Sequence, residues 1–313
     1  MPFISFIMPV KDEAAYVREA LQSVLDLEFQ DWELAAVDDG SRDGTFEILM
    51  EAQHRDGRIR VFKNPGAGQV QAINHGFGRI SGDFLKIIDG DDMLAPSFAT
   101  SLRVLTSSGA TYHDALLVTD EPRRIAVWRV GGRFQNLSFQ ESLRRIMISP
   151  PRWAWTISMD VAKMVFPLPH QLPSPHEDVF IGLRIKKNAS VHYVPGPFYR
   201  YRQHPGQFYG GIYNFRKSEV IRRASVMLRI LDFVRHDGML DGINNVEPVL
   251  ESLEAYYSFL ATDKVPFRSL SGSDLKASEK LKILVVKRAP RLASALSRLR
   301  STRSVRSPET RPK

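Results

Sequence analysis

The first hundred residues carry carboxylates in three short clusters: Lys11-Asp12-Glu13, Asp38-Asp39 and Asp89-Gly90-Asp91-Asp92. Like charges brought together raise one another's pKa and oppose folding. A hard divalent cation relieves that conflict. Mg²⁺ or Mn²⁺ is typically held by one or two carboxylates, with water and substrate phosphates completing its shell. If the three clusters share one rim, they predict a metal-bound, phosphorylated ligand. Each cluster alone has a plainer use, because Asp-Asp-Gly is an ordinary helix-entry turn and Asp-x-Asp is common in surface loops. A fourth acidic pair, Glu177-Asp178, follows Ser174-Pro175 at an expected helix start, where acids complement the helix dipole.

Whether the clusters meet depends on the elements between them. Phe3–Val10 is a short apolar run, as expected for a strand covered on both faces. Tyr16/Val17, Ala20/Leu21 and Val24/Leu25 recur four apart and define one helix face. Strands at Trp32–Val37, Ile59–Lys63 and Phe84–Ile88 then alternate with helices at Thr45–Ala52 and Val70–Arg79. Such alternation predicts an α/β fold with a doubly wound, mostly parallel sheet. In open sheets of this kind ligands bind outside the carboxyl ends of the strands, which is where all three clusters fall. The Gly-x-Gly-x-x-Gly fingerprint is absent after the first strand, against a dinucleotide-binding dehydrogenase.

Beyond Pro96 the pattern loosens. Strands are expected at Ala115–Thr119 and Ile125–Val130, a helix at Phe139–Ile148, and a helix at Asp178–Lys187 after a Pro-rich stretch. Val191–Arg202 reads as a strand interrupted at Pro195-Gly196-Pro197. Helices are expected at Asn214–His236, Val246–Ala261 and Asp274–Val286, and residues from Arg298 are low in apolar content and read as disordered. The expected organisation is one α/β domain over 1–210, made of a regularly alternating half (1–95) and a looser half (96–210). A helical region (211–297) and a basic tail (298–313) follow.

The 313 residues carry a net charge of +8, unevenly spread. Lys276–Lys313 holds twelve basic and two acidic residues, leaving 31 basic and 33 acidic in the remainder, which disfavours a nucleic-acid-binding core. There is no cysteine, so thiolate zinc sites, disulfides and a cysteine nucleophile are excluded. The N-terminal run lacks a basic segment and breaks at Pro9, so it reads as a strand rather than a signal peptide, and no apolar run approaches the length of a membrane-spanning helix. The expectation is a soluble cytoplasmic protein or one peripheral to the inner face of the membrane. Lys276–Arg300 interleaves Leu281, Leu284, Val285, Leu292, Leu296 and Leu299 with basic residues. Two readings stay open for it, an interfacial helix on anionic lipid and a C-terminal helix packed on the catalytic domain.

Taken in order, several motifs resemble family 2 glycosyltransferases of the GT-A fold. They are Pro9-Val10-Lys11-Asp12-Glu13, Val37-Asp38-Asp39-Gly40-Ser41-Arg42-Asp43-Gly44, Gly68–Phe77, Gly82-Asp83 and Asp89–Asp92, and later His176-Glu177-Asp178 and Tyr199–His204. The resemblance spans about residues 3 to 206 and implies a catalytic domain over 1–210, with a nucleotide-binding half (1–95) and an acceptor-binding half (96–210). It implies a nucleotide diphosphate sugar donor, most often uracil-linked, and a saccharide, lipid-linked or protein acceptor. Asp39 would accept from the base, with Pro9, Val10, Lys11 and Glu13 forming the loop beside it, and Gln69 and Asn74 shaping the pocket. Asp89 and Asp91 would lie along the donor, with Asp91 and Asp92 ligating Mn²⁺ or Mg²⁺. Asp178 matches the general base, Glu177 its orienting neighbour, and Arg202 and His204 would face the diphosphate.

Asp12 stands where that family often has Asn, and Asp178 is not followed by Gln-x-x-Arg-Trp. With no expected membrane spans either, the resemblance favours an inverting, single-addition transferase in glycan or cell-surface polysaccharide synthesis over a processive synthase. Acceptor specificity is expected from about Tyr112 to Pro175, where Trp153 and Trp155 serve either as sugar-stacking or as core residues. The rival readings are a sugar-phosphate nucleotidyltransferase, which needs a glycine- and basic-rich loop after strand one that Lys11–Ala15 does not supply, and a non-enzymatic membrane- or nucleic-acid-binding module.

Overall fold

A computed structural model describes residues 4–105, 109–119, 126–174, 176–204 and 217–262. In chain order the elements are β1 (Ile4–Val10), α1 (Val17–Leu25), β2 (Trp32–Asp38), α2 (Thr45–Arg55), β3 (Ile59–Lys63), α3 (Gln69–Phe77), β4 (Phe84–Ile87), β5 (Met93–Leu94), α4 (Phe98–Ser101) and β6 (Gly109–Thr119). They continue with β7 (Ala126–Trp128), α5 (Phe139–Arg144), β8 (Trp155–Ser158), α6 (Met159–Val165), α7 (Glu177–Asn188), β9 (Ser190–Gln203), α8 (Lys217–His236) and α9 (Glu247–Ala261). The described strands form one sheet in the order β3-β2-β1-β4-β8-β6-β9-β5, with β7 on β6.

The first four strands of that order are parallel, with Val10 level with Asp38 and Ile7 with Ile87. All seven residues of β1 and of β2 are buried, because both faces are covered. Side chains alternate along β1: Phe6 packs on Phe98 of α4, and Ile7 faces Gly76 of α3, where a Cβ would collide with it. Beyond β4 the sheet turns antiparallel through β8, β6 and β7, and β9 pairs β5. That half is packed by aromatic side chains, with Tyr112, Phe134 and Trp155 in mutual contact.

The later elements differ from expectation in detail. β6 begins at Gly109, ahead of the apolar run at Ala115, because Tyr112, His113 and Asp114 are themselves buried. The Phe139–Ile148 helix divides into α5 and a 3-10 turn at Ile146–Ile148. β9 runs unbroken through Pro195-Gly196-Pro197, Gly196 taking φ 145° where a side chain would strike the Phe198 ring. Trp153 and Trp155 are both core residues, 3% exposed.

The chain divides into two compact units, Met1–Phe139 with Met147–Arg202, and Gln140–Ile146 with Gln203–Lys313. In the second, α8 and α9 pack through Met227, Leu231 and Val234 on one helix and Val249, Leu250 and Leu253 on the other, each buried. Arg235 adds ion pairs to Glu247 and Glu254. The helix expected at Asp274–Val286, the disorder expected from Arg298 and both readings of Lys276–Arg300 fall outside the described residues. No helix among the described residues is long and apolar enough to cross a membrane.

Candidate active site

The carboxyl ends of β1, β2 and β4 lie side by side, and the loops leaving them are built from local hydrogen bonds. Asp12 sits at φ 54°, a backbone region Asp and Asn enter more readily than other side chains, and its Oδ1 accepts from Arg42 N–H at 2.7 Å. Asn carries the same acceptor oxygen, so the departure noted at this position leaves the loop contact available. Asp38 accepts from the N–H groups of Gly40 and Ser41, and Asp43 from Ala14 and Thr45. These three acids shape turns.

Asp39 is placed differently. Its N–H bonds to Val10 carbonyl at 2.9 Å, its Oδ1 accepts from Asn64 Nδ2 (2.7 Å) and Gly68 N–H (2.9 Å), and its Oδ2 meets Lys11 Nζ at 3.2 Å. Lys11, Asp39 and the entrance of α3 thus line one edge of the rim, with Pro9 and Val10 buried behind them. Gln69 opens α3 and accepts from Ser174 Oγ at 3.0 Å. Asn74 has both amide groups committed to the Leu168 backbone, at 2.8 and 2.7 Å, so it ties α3 to the Pro-rich segment.

At the centre, carboxylate oxygens of Asp89, Asp91 and Asp92 lie within 4.8 Å of one another. Asp92 is fully buried; its Oδ1 accepts from Arg202 N–H at 2.7 Å, and among the described residues its Oδ2 has no hydrogen-bond partner. Glu13 lies beneath, with Oε2 likewise buried and unpartnered, against Gly90, where any side chain would collide with it. Burial first, and then Asp91 and Asp89, push both Glu13 and Asp92 well above the usual carboxylate range. Two orphaned buried carboxylate oxygens beside a three-acid cluster fit a hard divalent cation with oxygen ligands.

Arg152, which sequence reasoning did not assign, joins this cluster to α7. Its guanidinium is ion-paired with both Asp89 and Glu177 and is only 10% exposed. Burial opposes its charge, but Asp89 and Glu177 hold it firmly protonated. Glu177 is therefore buried and neutralised. Its neighbour Asp178 is only partly buried; its Oδ1 accepts from Val179 N–H at 2.9 Å, and no described residue bonds to its Oδ2. Burial and the nearby Glu177 raise Asp178 to about 7. The turn before this pair is strained, His176 taking φ 123° without being glycine.

Two further residues brace the loop. Tyr199 stacks on Trp153 (5.1 Å, 6°), and its hydroxyl accepts from Asp89 N–H at 3.0 Å. Lys86, fully buried in β4, donates to the carbonyls of Trp153 (2.7 Å) and Trp155 (3.4 Å) and to His113 Nε2 (3.0 Å). His113 Nδ1 faces the Asp114 carbonyl at 2.8 Å, which makes Nδ1 the protonated nitrogen and Nε2 the acceptor. Burial lowers Lys86 to about 7. A lone lysine in the apolar run Phe84–Ile88 is a signal that could have found it; Arg152 carried no comparable one.

Arg202 reaches Glu19 Oε2 (2.6 Å) and the Asp91 carbonyl (3.0 Å), so its guanidinium clasps the acid loop from the α1 side. His204 belongs to the second unit.

Residues 5–103 match the model of glycosyl transferase family 2. An uncharacterized glycosyltransferase of Haemophilus influenzae is 36% identical over 96 residues, 30% of this chain and 38% of that protein. The putative glycosyltransferase EpsH of Bacillus subtilis is 28% identical over 225 residues, 65% of this chain and 61% of that one. The chain thus spans less than two thirds of the length of these relatives. Among solved structures, Staphylococcus aureus TarS 1-349 in complex with UDP-GlcNAc aligns with a TM-score of 0.56 at 16% identity, over 95% of this chain and 92% of that one. The mannosyltransferase PcManGT of Pyrobaculum calidifontis, in complex with GDP-Man and Mn²⁺, aligns at 0.57 and 15%, over 97% and 84%. The segment bearing the strand-end acids matches glycosyl transferase family 2, and the fold around it is that of the GT-A glycosyltransferases.

Proposed function

We propose that this protein is an inverting, metal-dependent glycosyltransferase that moves a sugar from a nucleotide diphosphate sugar, UDP-linked by preference, to an acceptor hydroxyl in polysaccharide biosynthesis. The observation that carries the reading is the pairing of unlike carboxylates across Arg152. On one side lie the acid cluster and its orphaned Asp92 oxygen; on the other, Asp178 stands with one oxygen unpartnered and its pKa near neutrality. Arg152 neutralises Asp89 and Glu177; Asp91 and Asp92 would hold Mn²⁺ or Mg²⁺, and Asp178 would take a proton. A bound divalent ion supplies Lewis-acid stabilisation of the departing diphosphate.

The chain's own residues do the rest. Asp39, held by Lys11 and Asn64, presents its carboxylate to the edge of the base, and Gln69 lies at the α3 entrance beside it. Asp178 deprotonates the acceptor hydroxyl as it attacks the anomeric carbon, and a base with a pKa near the working pH suits that transfer. Glu177 and Arg152 orient it. Donors linked to UDP and GDP are bound by the two aligned structures, respectively, which supports a nucleotide diphosphate sugar here.

Turnover of UDP-sugars and GDP-mannose with Mn²⁺ tests the reading. In Asp178→Asn we expect kcat to fall by roughly 10²–10⁴ with donor affinity nearly unchanged, and an α-linked donor to give a β-linked product. Equal loss of donor binding and turnover, or retained configuration, would overturn the assignment.

A further inference from the structure

The antiparallel half carries an aromatic cluster that is only partly submerged. Trp153 and Tyr199 are its buried base, stacked face to face. Tyr201 follows Tyr199 by two residues on β9 and so shares its side of the sheet; its ring lies 6.0 Å from Trp153, tilted by 36°. Trp128, on β7, stands at 84° to Tyr201 (5.1 Å) and 69° to Trp153 (5.2 Å). Trp128 and Tyr201 thus make a corner of two nearly perpendicular rings, both partly exposed. Among the described residues neither the Trp128 indole N–H nor the Tyr201 hydroxyl has a hydrogen-bond partner, and neither atom is buried.

The corner is tied to the acid loop on two sides. Tyr201 precedes Arg202, whose N–H bonds to Asp92, and Trp153 follows Arg152, which pairs with Asp89 and Glu177. Its position is therefore set by the same contacts that set the carboxylates. A pyranose ring suits such a corner, because it offers an apolar C–H face to one ring and hydroxyls to the free N–H and O–H. Purely structural aromatics would bury these polar tips or bond them within the protein.

We propose that Trp128 and Tyr201 form the stacking subsite for the acceptor, and that the acceptor terminates in a pyranose sugar. This rests on the glycosyltransferase reading and adds to it a substrate class and two specificity-determining residues. Trp153, expected as a stacking residue or as core, supports the corner from beneath.

Saturation-transfer NMR with cellobiose and with N,N′-diacetylchitobiose, each in the presence of UDP and Mn²⁺, tests it. The wild-type chain should transfer saturation to the pyranose C–H protons of at least one disaccharide. Trp128→Ala and Tyr201→Ala should weaken that disaccharide's binding by roughly tenfold or more, and Trp128→Phe should restore most of it. The UDP signals in the same tube report whether the nucleotide site is intact. UDP signals without saccharide signals in the wild type, or undiminished saccharide binding in Trp128→Ala, would overturn the subsite. Absence of Mn²⁺-dependent UDP signals in the wild type would instead overturn the glycosyltransferase reading beneath it.

Discussion

The two ends of the parallel block treat a buried carboxylate in opposite ways. At the amino ends of the strands, Glu33 accepts from Ser5 Oγ (2.7 Å) and from Ser81 and Gly82 N–H, and pairs with Arg60. Burial opposes its charge, yet these partners hold it below the usual carboxylate range. At the carboxyl ends, Asp92 is also buried and Glu13 partly so, each with a buried oxygen that no described residue bonds, and both are pushed upward. Burial alone does not mark a site. What separates a structural acid from a functional one is the donor that the fold withholds.

Exchanging the carboxylates for amides should break this symmetry most visibly. Asp92→Asn keeps the oxygen that Arg202 N–H needs, so the metal-free protein should be at least as stable as wild type, while the rise in Tm with Mn²⁺ disappears. That rise corresponds to about 2.7 kcal/mol at a hundredfold excess over Kd. Glu33→Gln should do the reverse, costing about 2–3 kcal/mol in urea unfolding while keeping the Mn²⁺ response, since donors are left unpaired. Equal destabilisation by both would erase the distinction.

The pH profile of stability sharpens it. Asp178, raised to about 7, and Glu13 and Asp92, raised in the same direction, bind protons in the folded state that the unfolded chain has released. Their protonation therefore contributes stability to the metal-free protein that is lost as pH rises through each raised pKa, about 7 for Asp178. His113, held well below its ordinary value by burial and Lys86, works against them. Lys86, lowered to about 7, likewise acts with the opposite sign: the unfolded chain holds the extra proton, so stability recovers from pH 7 upward. Urea unfolding should show the stability of the wild type relative to Asp178→Asn falling as pH rises from about 4 to about 7. A steady rise from pH 4 to 7 would contradict it.

The smallest effect is expected at Asp12. Asp12→Asn preserves both the φ 54° backbone and the acceptor for Arg42 N–H, so stability should change by less than about 0.5 kcal/mol and turnover should hold. A larger loss would mean that the carboxylate charge itself is used.

These contrasts also show what was legible beforehand. The parallel block could be read because its signals are local: apolar runs for β1 and β2, turn acids at Asp38 and Asp43, and acids placed at strand ends. Which acids merely close turns was not legible, since Asp12, Asp38 and Asp39 look alike until their donors are known. Arg152 was invisible as a site residue because its partners, Asp89 and Glu177, lie 63 and 25 residues away. Asn74 was readable as a pocket residue, but the tie of its amide to the Leu168 backbone, 94 residues away, was not. The Trp128–Tyr201 corner joins strands β7 and β9, a pairing of rings no spacing encodes.

The reach of β9 has a consequence for how the chain becomes an enzyme. β1 meets β2 and β2 meets β3 across separations of about 25 to 30 residues, so the parallel block closes early and cheaply. β5, which immediately follows the acid loop, pairs with β9 more than a hundred residues later, and the Asp92–Arg202 and Glu19–Arg202 contacts span 110 and 183 residues. A nascent chain can therefore assemble most of its nucleotide-side architecture while the acid loop still lacks its clasp. Arrival of one late strand brings Tyr199, Tyr201 and Arg202 together, closing the loop and delivering a wall of the aromatic corner in a single docking event.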